Sequence, residues 1–194
     1  SLCNLRDGEA RAVYKNLRLD MRSYKSIKMF VHAECEDLRN GDLTLFMRLG
    51  TDFTSNYYEY EIPLSITPPG KYSGDSETER EQVWLLANNL DLPLEVLRNV
   101  KLSRDQAIKN NSNITASQRY EIADGNNKIY VVGIPDLSKV KTIMIGVRNP
   151  RADAATPQDD GFDKCGDVWV NELRLTGFDE EGGWAAKGLV TTKL

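Results

Sequence analysis

Tyr58-Glu59-Tyr60-Glu61-Ile62-Pro63-Leu64 decides the fold. Apolar side chains fall at every second position, and acids or proline fall between them. A period of two places successive side chains on opposite faces of an extended chain, so this is a half-buried strand. The same period runs outward in both directions. Leu17, Leu19 and Met21 alternate with Arg18, Asp20 and Arg22. Ile27, Met29, Val31 and Ala33 alternate with Lys28, Phe30, His32 and Glu34, and Leu43, Leu45, Met47 and Leu49 with Thr44, Phe46 and Arg48. Asn40-Gly41, between two of these runs, signals a hairpin. Residues 129–134 and 142–147 are almost continuously apolar, as in central strands covered on both faces. Residues 167–175 supply a further strand, on which Trp169, Leu173 and Leu175 share one face. Seven or more strands punctuated by Gly, Pro and Asn predict an all-β, jelly-roll-like (galactose-binding-like) β-sandwich with a short helical insertion.

The middle of the chain breaks this period. Residues 68–82 are polar and turn-rich and read as a loop. In residues 91–110, Asp91 as a cap, Pro93 in a first turn and the stripe Leu94, Leu97, Val100 predict helix, and Ser103 caps a second turn. Residues 149–166 read as an acidic, proline-containing loop. The organisation that follows is a sandwich over 1–178, with 66–128 as an insertion carrying short helices. Residues 179–194 follow as a linker and the start of a barrel strand. In that tail Ala186, Gly188 and Val190 alternate with Lys187 and Thr191, a pattern shared by outer-membrane barrel strands and ordinary sandwich edges.

Composition excludes several functions. The 194 residues carry 25 Lys+Arg and 29 Asp+Glu, a formal charge of −4, which argues against a nucleic-acid partner. His32 is the single histidine, so no HExxH or multi-histidine metal centre exists, and a Ser-His-Asp triad would have to use it. Nucleotide-binding and nucleophile-elbow motifs are absent. Cys3, Cys35 and Cys165 contain no CxxC spacing. They read either as one disulfide plus a free thiol or as three small buried side chains. Ser1 is not a natural start and no signal segment follows it, so a fragment of a longer chain is expected.

Candidate sites are few. Glu59 and Glu61 share a strand face and could flank a sugar as an acid pair, although the solvated face of a half-buried strand is the weightier reading. Asp159, Asp160 and Asp163 could hold a structural Ca²⁺, though without EF-hand spacing. No other cofactor is indicated. Asn110-Asn111-Ser112 and Asn113-Ile114-Thr115 fit the glycosylation sequon. Tyr58, Tyr60 and Trp169 are assigned to core faces, leaving Tyr57 and Trp184 as exposed rings for stacking on a partner.

Three stretches carry a family resemblance. They are Leu17-Arg18-Leu19-Asp20-Met21-Arg22-Ser23-Tyr24-Lys25 leading into Met29–Glu34; Leu45-Phe46-Met47-Arg48-Leu49-Gly50 with Asn56–Leu64; and Val168-Trp169-Val170-Asn171-Glu172-Leu173-Arg174-Leu175. With Gly182-Gly183-Trp184-Ala185, they resemble the SprA/Sov family of the type IX secretion system of Bacteroidetes, which is also tied to gliding motility. The resemblance implies a non-enzymatic domain attached to a giant outer-membrane β-barrel translocon. It implies as partners the rest of that barrel and accessory secretion proteins or secreted cargo. It supplies no catalytic residues. A carbohydrate-binding module of a cell-surface glycan system is the alternative.

Overall fold

In the computed structural model, residues 1–111, 113–152 and 159–178 are described. Ten strands form two antiparallel sheets: β1 Leu2–Leu5, β2 Ala10–Leu19, β3 Ser26–Glu34, β4 Thr44–Gly50, β5 Tyr57–Pro63, β6 Leu90–Pro93, β7 Tyr120–Asp124, β8 Asn127–Val132, β9 Val140–Arg148 and β10 Lys164–Thr176. The four-stranded sheet has the order β1-β10-β3-β6, and the six-stranded sheet β2-β9-β4-β5-β8-β7. Two helices accompany them, α1 Glu77–Val83 and α2 Leu94–Asn110. The architecture is an all-β sandwich with a short helical insertion.

The period-two residues meet in one core. Ile27, Met29, Val31 and Ala33 of β3 pack with Leu45, Met47 and Leu49 of β4, Tyr58, Tyr60 and Ile62 of β5, and Ile129 and Val131 of β8. Each of these is at most 4% exposed, so the inward faces of both sheets are dry. Helix α2 adds Leu94, Leu97 and Val100, all fully buried.

The structure corrects five expectations. Asn40-Gly41 does not close a hairpin. β3 and β4 lie in different sheets, so this segment carries the chain across the sandwich. Asn40 Oδ1 accepts from Ile66 N at 2.8 Å, and Gly41 N donates to Leu64 O at 2.8 Å. The two-residue hairpin is at Gly125-Asn126, where Asp124 pairs with Asn127; Gly-Asn between two strand runs is its sequence signal.

Residues 68–82 are not all loop, because α1 begins at Glu77. Ser76 caps it, accepting from Glu79 N, and Ser76-Glu77-Thr78-Glu79 is a capping-box sequence. Asp91 and Pro93 belong to β6, not to a helical turn. Ser103 lies inside α2, a single 17-residue helix, and caps nothing. The stretch 66–128 therefore supplies β6 and β7, one edge strand of each sheet. The linker and barrel-strand expectation, at 179–194, lies outside the described residues.

The last correction concerns β10. Asn171 pairs with Phe30 but Arg174 with Lys28, so three steps on β10 match two on β3. The extra residue is a β-bulge, and Glu172 carries it with a left-handed backbone (φ 54°). One inserted residue flips every side chain beyond it to the other face. Leu175 therefore pairs with core Ile27, whereas Trp169 pairs with outward-facing His32. Trp169 is 61% exposed, not packed in the core with Leu175.

Candidate functional site

The two outer faces of the sandwich differ in chemistry. On the six-stranded sheet, Glu59 and Glu61 are neither solvated nor arranged as a pair of acids around a cleft. Glu59 is fully buried on the outer face of β5, beneath three arginines. Arg48 Nε bonds one carboxylate oxygen; Arg119 and Arg148 reach the other at 2.5 and 3.0 Å. Arg148 also bonds Glu61, which accepts from Thr44 Oγ1 at 2.6 Å. The guanidinium planes lie over aromatic rings. Arg48 sits 4.4 Å from the Tyr57 ring centre, Arg119 3.5 Å from Tyr130 and Arg148 4.6 Å from Phe46. Rings and guanidinium groups interleave and shut water away from the two carboxylates. Burial alone would raise the Glu59 pKa, but Arg119, Arg148 and Arg48 outweigh it and hold the carboxyl below its ordinary value. Tyr57, expected as an exposed ring, is only 6% exposed and serves as the platform under Arg48.

The outer face of the four-stranded sheet is open. Here β3 presents Phe30 and His32, and β10 presents Trp169 and Asn171 opposite them. Trp84, which ends α1, leans on both β3 rings, 5.9 Å from His32 and 6.4 Å from Phe30 between ring centres. A groove of 390 Å³ runs along this face, lined by Phe30, Trp84, Asn171, Glu172, Arg80 and Glu81 among others. It combines apolar rings, an amide and charges of both signs.

His32 anchors α1. Its Nδ1 donates to Val83 O at 2.7 Å and lies 3.0 Å from Thr67 Oγ1, and its Nε2 is 3.3 Å from Glu34. A hydroxyl, an imidazole and a carboxylate in a row resemble a hydrolase triad, but the bonding differs. Nδ1 carries its proton toward a carbonyl, so it cannot take one from Thr67. The Thr67 hydroxyl also donates to Val83 O, at 3.1 Å, and Thr67 is only 2% exposed.

Two of the three acids named for Ca²⁺ bond within their own loop. Asp160 binds Lys164 Nζ at 2.6 Å and accepts from Phe162 N, while Asp159 accepts from Gly161 N. Lys164 also reaches Asp42 at 3.6 Å. Among the described residues, no three acidic, histidine or cysteine side chains are grouped to hold a metal ion. Trp184 lies outside the described residues. Trp84 and Trp169 are the site residues that pattern reading missed. The bulge hides Trp169 from a period count, and Trp84 follows a helix that a polar, turn-rich stretch conceals.

The class these features define is an all-β sandwich domain with one outer face closed by an arginine–glutamate cluster and one open aromatic face. A family model described as motility related/secretion protein, SprA_N, matches residues 1–194, and the chain belongs to that family. No curated protein matches it significantly. No helix among the described residues is long and apolar enough to cross a membrane, which leaves strands untested.

Proposed function

We propose that this chain is a non-enzymatic docking domain of a giant outer-membrane protein translocon of the type IX secretion and gliding machinery. Its contact surface is the face that carries Trp84, Phe30 and Trp169, at the cell envelope. The partner is an accessory secretion protein or a secreted cargo. The observation that supports this reading is the placement of Trp169. A bulge turns a large ring from the core toward solvent, beside a groove that already holds Trp84 and Phe30. Large rings set in a part-apolar groove are the usual energetic centres of protein contacts.

The test is Trp169→Ala, alone and with Trp84→Ala, in the full-length parent. Secretion of type IX cargo is measured after limited proteolysis has shown the domain to be folded. Loss of a central tryptophan weakens a contact roughly thirtyfold, equivalent to about 2 kcal/mol. Secretion is therefore expected to fall sharply in the double variant. Wild-type secretion from a folded double variant would overturn the reading.

A carbohydrate-binding module is the second reading, favoured by one feature. Phe30 and Trp84 are flanked by Asn171 and carboxylates, the combination that stacks a sugar ring and bonds its hydroxyls. Calorimetry against cell-surface polysaccharides separates the two readings. Saturable binding abolished by Trp84→Ala supports the sugar, and a blank titration leaves the protein partner.

A further inference from the structure

The three cysteines are not equivalent. β1 and β10 run antiparallel, with Leu2 opposite Gly166 and Leu5 opposite Lys164. Three steps on β1 therefore match two on β10, and Cys3 and Asn4 together face Cys165. Asn4 takes up the extra residue with a left-handed backbone (φ 53°), and its amide donates to Cys165 Sγ at 3.2 Å. The nearby Cys165 thiol is the main influence that pushes the Cys3 pKa above its ordinary value. Both residues are exposed, so a soluble oxidant reaches them. Cys35 is placed differently. The β3–β10 register, with Glu34 opposite Asp167, sets Cys35 beside Gly166. A side chain built there would lie 3.5 Å from the Cys35 Cβ, but glycine brings no sulfur to that position.

We propose that Cys3 and Cys165 close a cross-strand disulfide that staples β1 to β10, leaving Cys35 as the free thiol. Neighbouring residues of antiparallel strands meet the Cα spacing that a disulfide needs. The reaction is thiol–disulfide exchange with a small disulfide such as oxidised glutathione. One protein thiolate attacks a glutathione sulfur, the glutathione S–S bond breaks, and one glutathione leaves as a thiolate that takes up a proton. The second protein thiolate then attacks the mixed disulfide and releases the second glutathione. The protein gives up two electrons and two protons, and oxidised glutathione becomes two reduced molecules.

The staple has a defined mechanical place. Arg11 of β2 donates to Cys3 O at 2.8 Å and to Asn4 O at 3.0 Å, bracing the same short strand from the other sheet. The bond would close a loop from residue 3 to residue 165, so it ties together β1 and β10, far apart along the chain. An oxidising compartment preserves such a bond and a reducing one opens it.

The experiment is a thiol count on the 194-residue chain after equilibration with oxidised glutathione, followed by denaturation and maleimide labelling. The count is expected to fall from three to one, with Cys35 labelled and peptide mapping showing Cys3 joined to Cys165. Cys35→Ser should keep the cross-link and leave no free thiol. Cys3→Ser should lose the intramolecular bond. Reduction with dithiothreitol should lower the melting temperature of the wild type but not of Cys3→Ser. Three labelled thiols after oxidation, or a cross-link containing Cys35, would overturn the proposal.

Discussion

Glu59→Ala is expected to destabilise the domain by about 3–5 kcal/mol, the usual cost of removing one partner from a buried ion cluster. The carboxylate is fully buried, and three guanidinium groups converge on it. Without it, the side chains of Arg48 and Arg148, 22% and 15% exposed, stay half-sequestered, Arg148 with Glu61 alone and Arg48 with only the Phe53 carbonyl. For a chain of this size the loss corresponds to a melting temperature lower by roughly 10 °C. Thermal melts of Glu59→Ala and Glu59→Gln check it. A melting point within a degree or two of wild type would show that the arginines escape to solvent at no cost.

The same cluster sets a pH dependence. The Glu59 pKa is lower in the folded protein than its ordinary value of 4.5. The carboxylate's contribution is therefore fully present above that pH and is lost as the pH falls through the folded-state value. Urea midpoints should fall with acid in the wild type and fall less steeply in Glu59→Gln, which has no proton to bind.

Gly133→Ala is the second large effect expected, a loss of at least about 3 kcal/mol. Gly133 has φ 67°, and a methyl group there would lie 1.9 Å from Ser55 O and 2.5 Å from Asn56 Oδ1. That neighbour is stiff. Asp52 accepts from the amides of Thr54, Ser55 and Asn56, and Asn56 Oδ1 accepts from Ile134 N at 2.9 Å. Burial works against the Asp52 carboxylate, yet the Asn56 side-chain amide and the three backbone amides hold its pKa well below the ordinary range. Gly133 also donates to Ala116 O at 2.7 Å and accepts from buried Arg104. A shift to relieve the clash would strain all of these bonds. Gly125→Ala is the control, because Gly125 has φ 61° but no atom within 4 Å of the added methyl. It should cost only about 1 kcal/mol, the conformational part alone. Equal losses for the two variants would mean that the 52–56 loop yields freely.

The core was legible because burial and period coincide. Ile27 to Ala33, Leu43 to Leu49 and Tyr58 to Leu64 sit where alternation puts them. The features that resisted reading depend on register. Glu59 faces Arg48 only because residues 48 and 59 pair across β4 and β5, and Arg148 arrives from a strand far along the chain. No local pattern separates a carboxylate under arginines from one in water. Asn40-Gly41 has hairpin chemistry but serves a crossing between sheets, since its flanking strands find better partners in β10 and β9. A period count across residue 172 assumes an unbroken strand and so puts Trp169 on the core face. Ser76 and Glu79 were readable, and show that a polar, turn-rich stretch can still hold a helix.

The bulge at Glu172 has an evolutionary consequence. It divides β10 into two segments written out of phase, and the phase break alone assigns Trp169 to one side and Leu175 to the other. A deletion of one residue there would rotate Trp169 into the core and expose Val168, whereas most substitutions would leave the arrangement standing. Among relatives, the spacing from the tryptophan to the leucine should therefore vary less than the residues between them, with Gly or Asn the easiest replacements at the left-handed position.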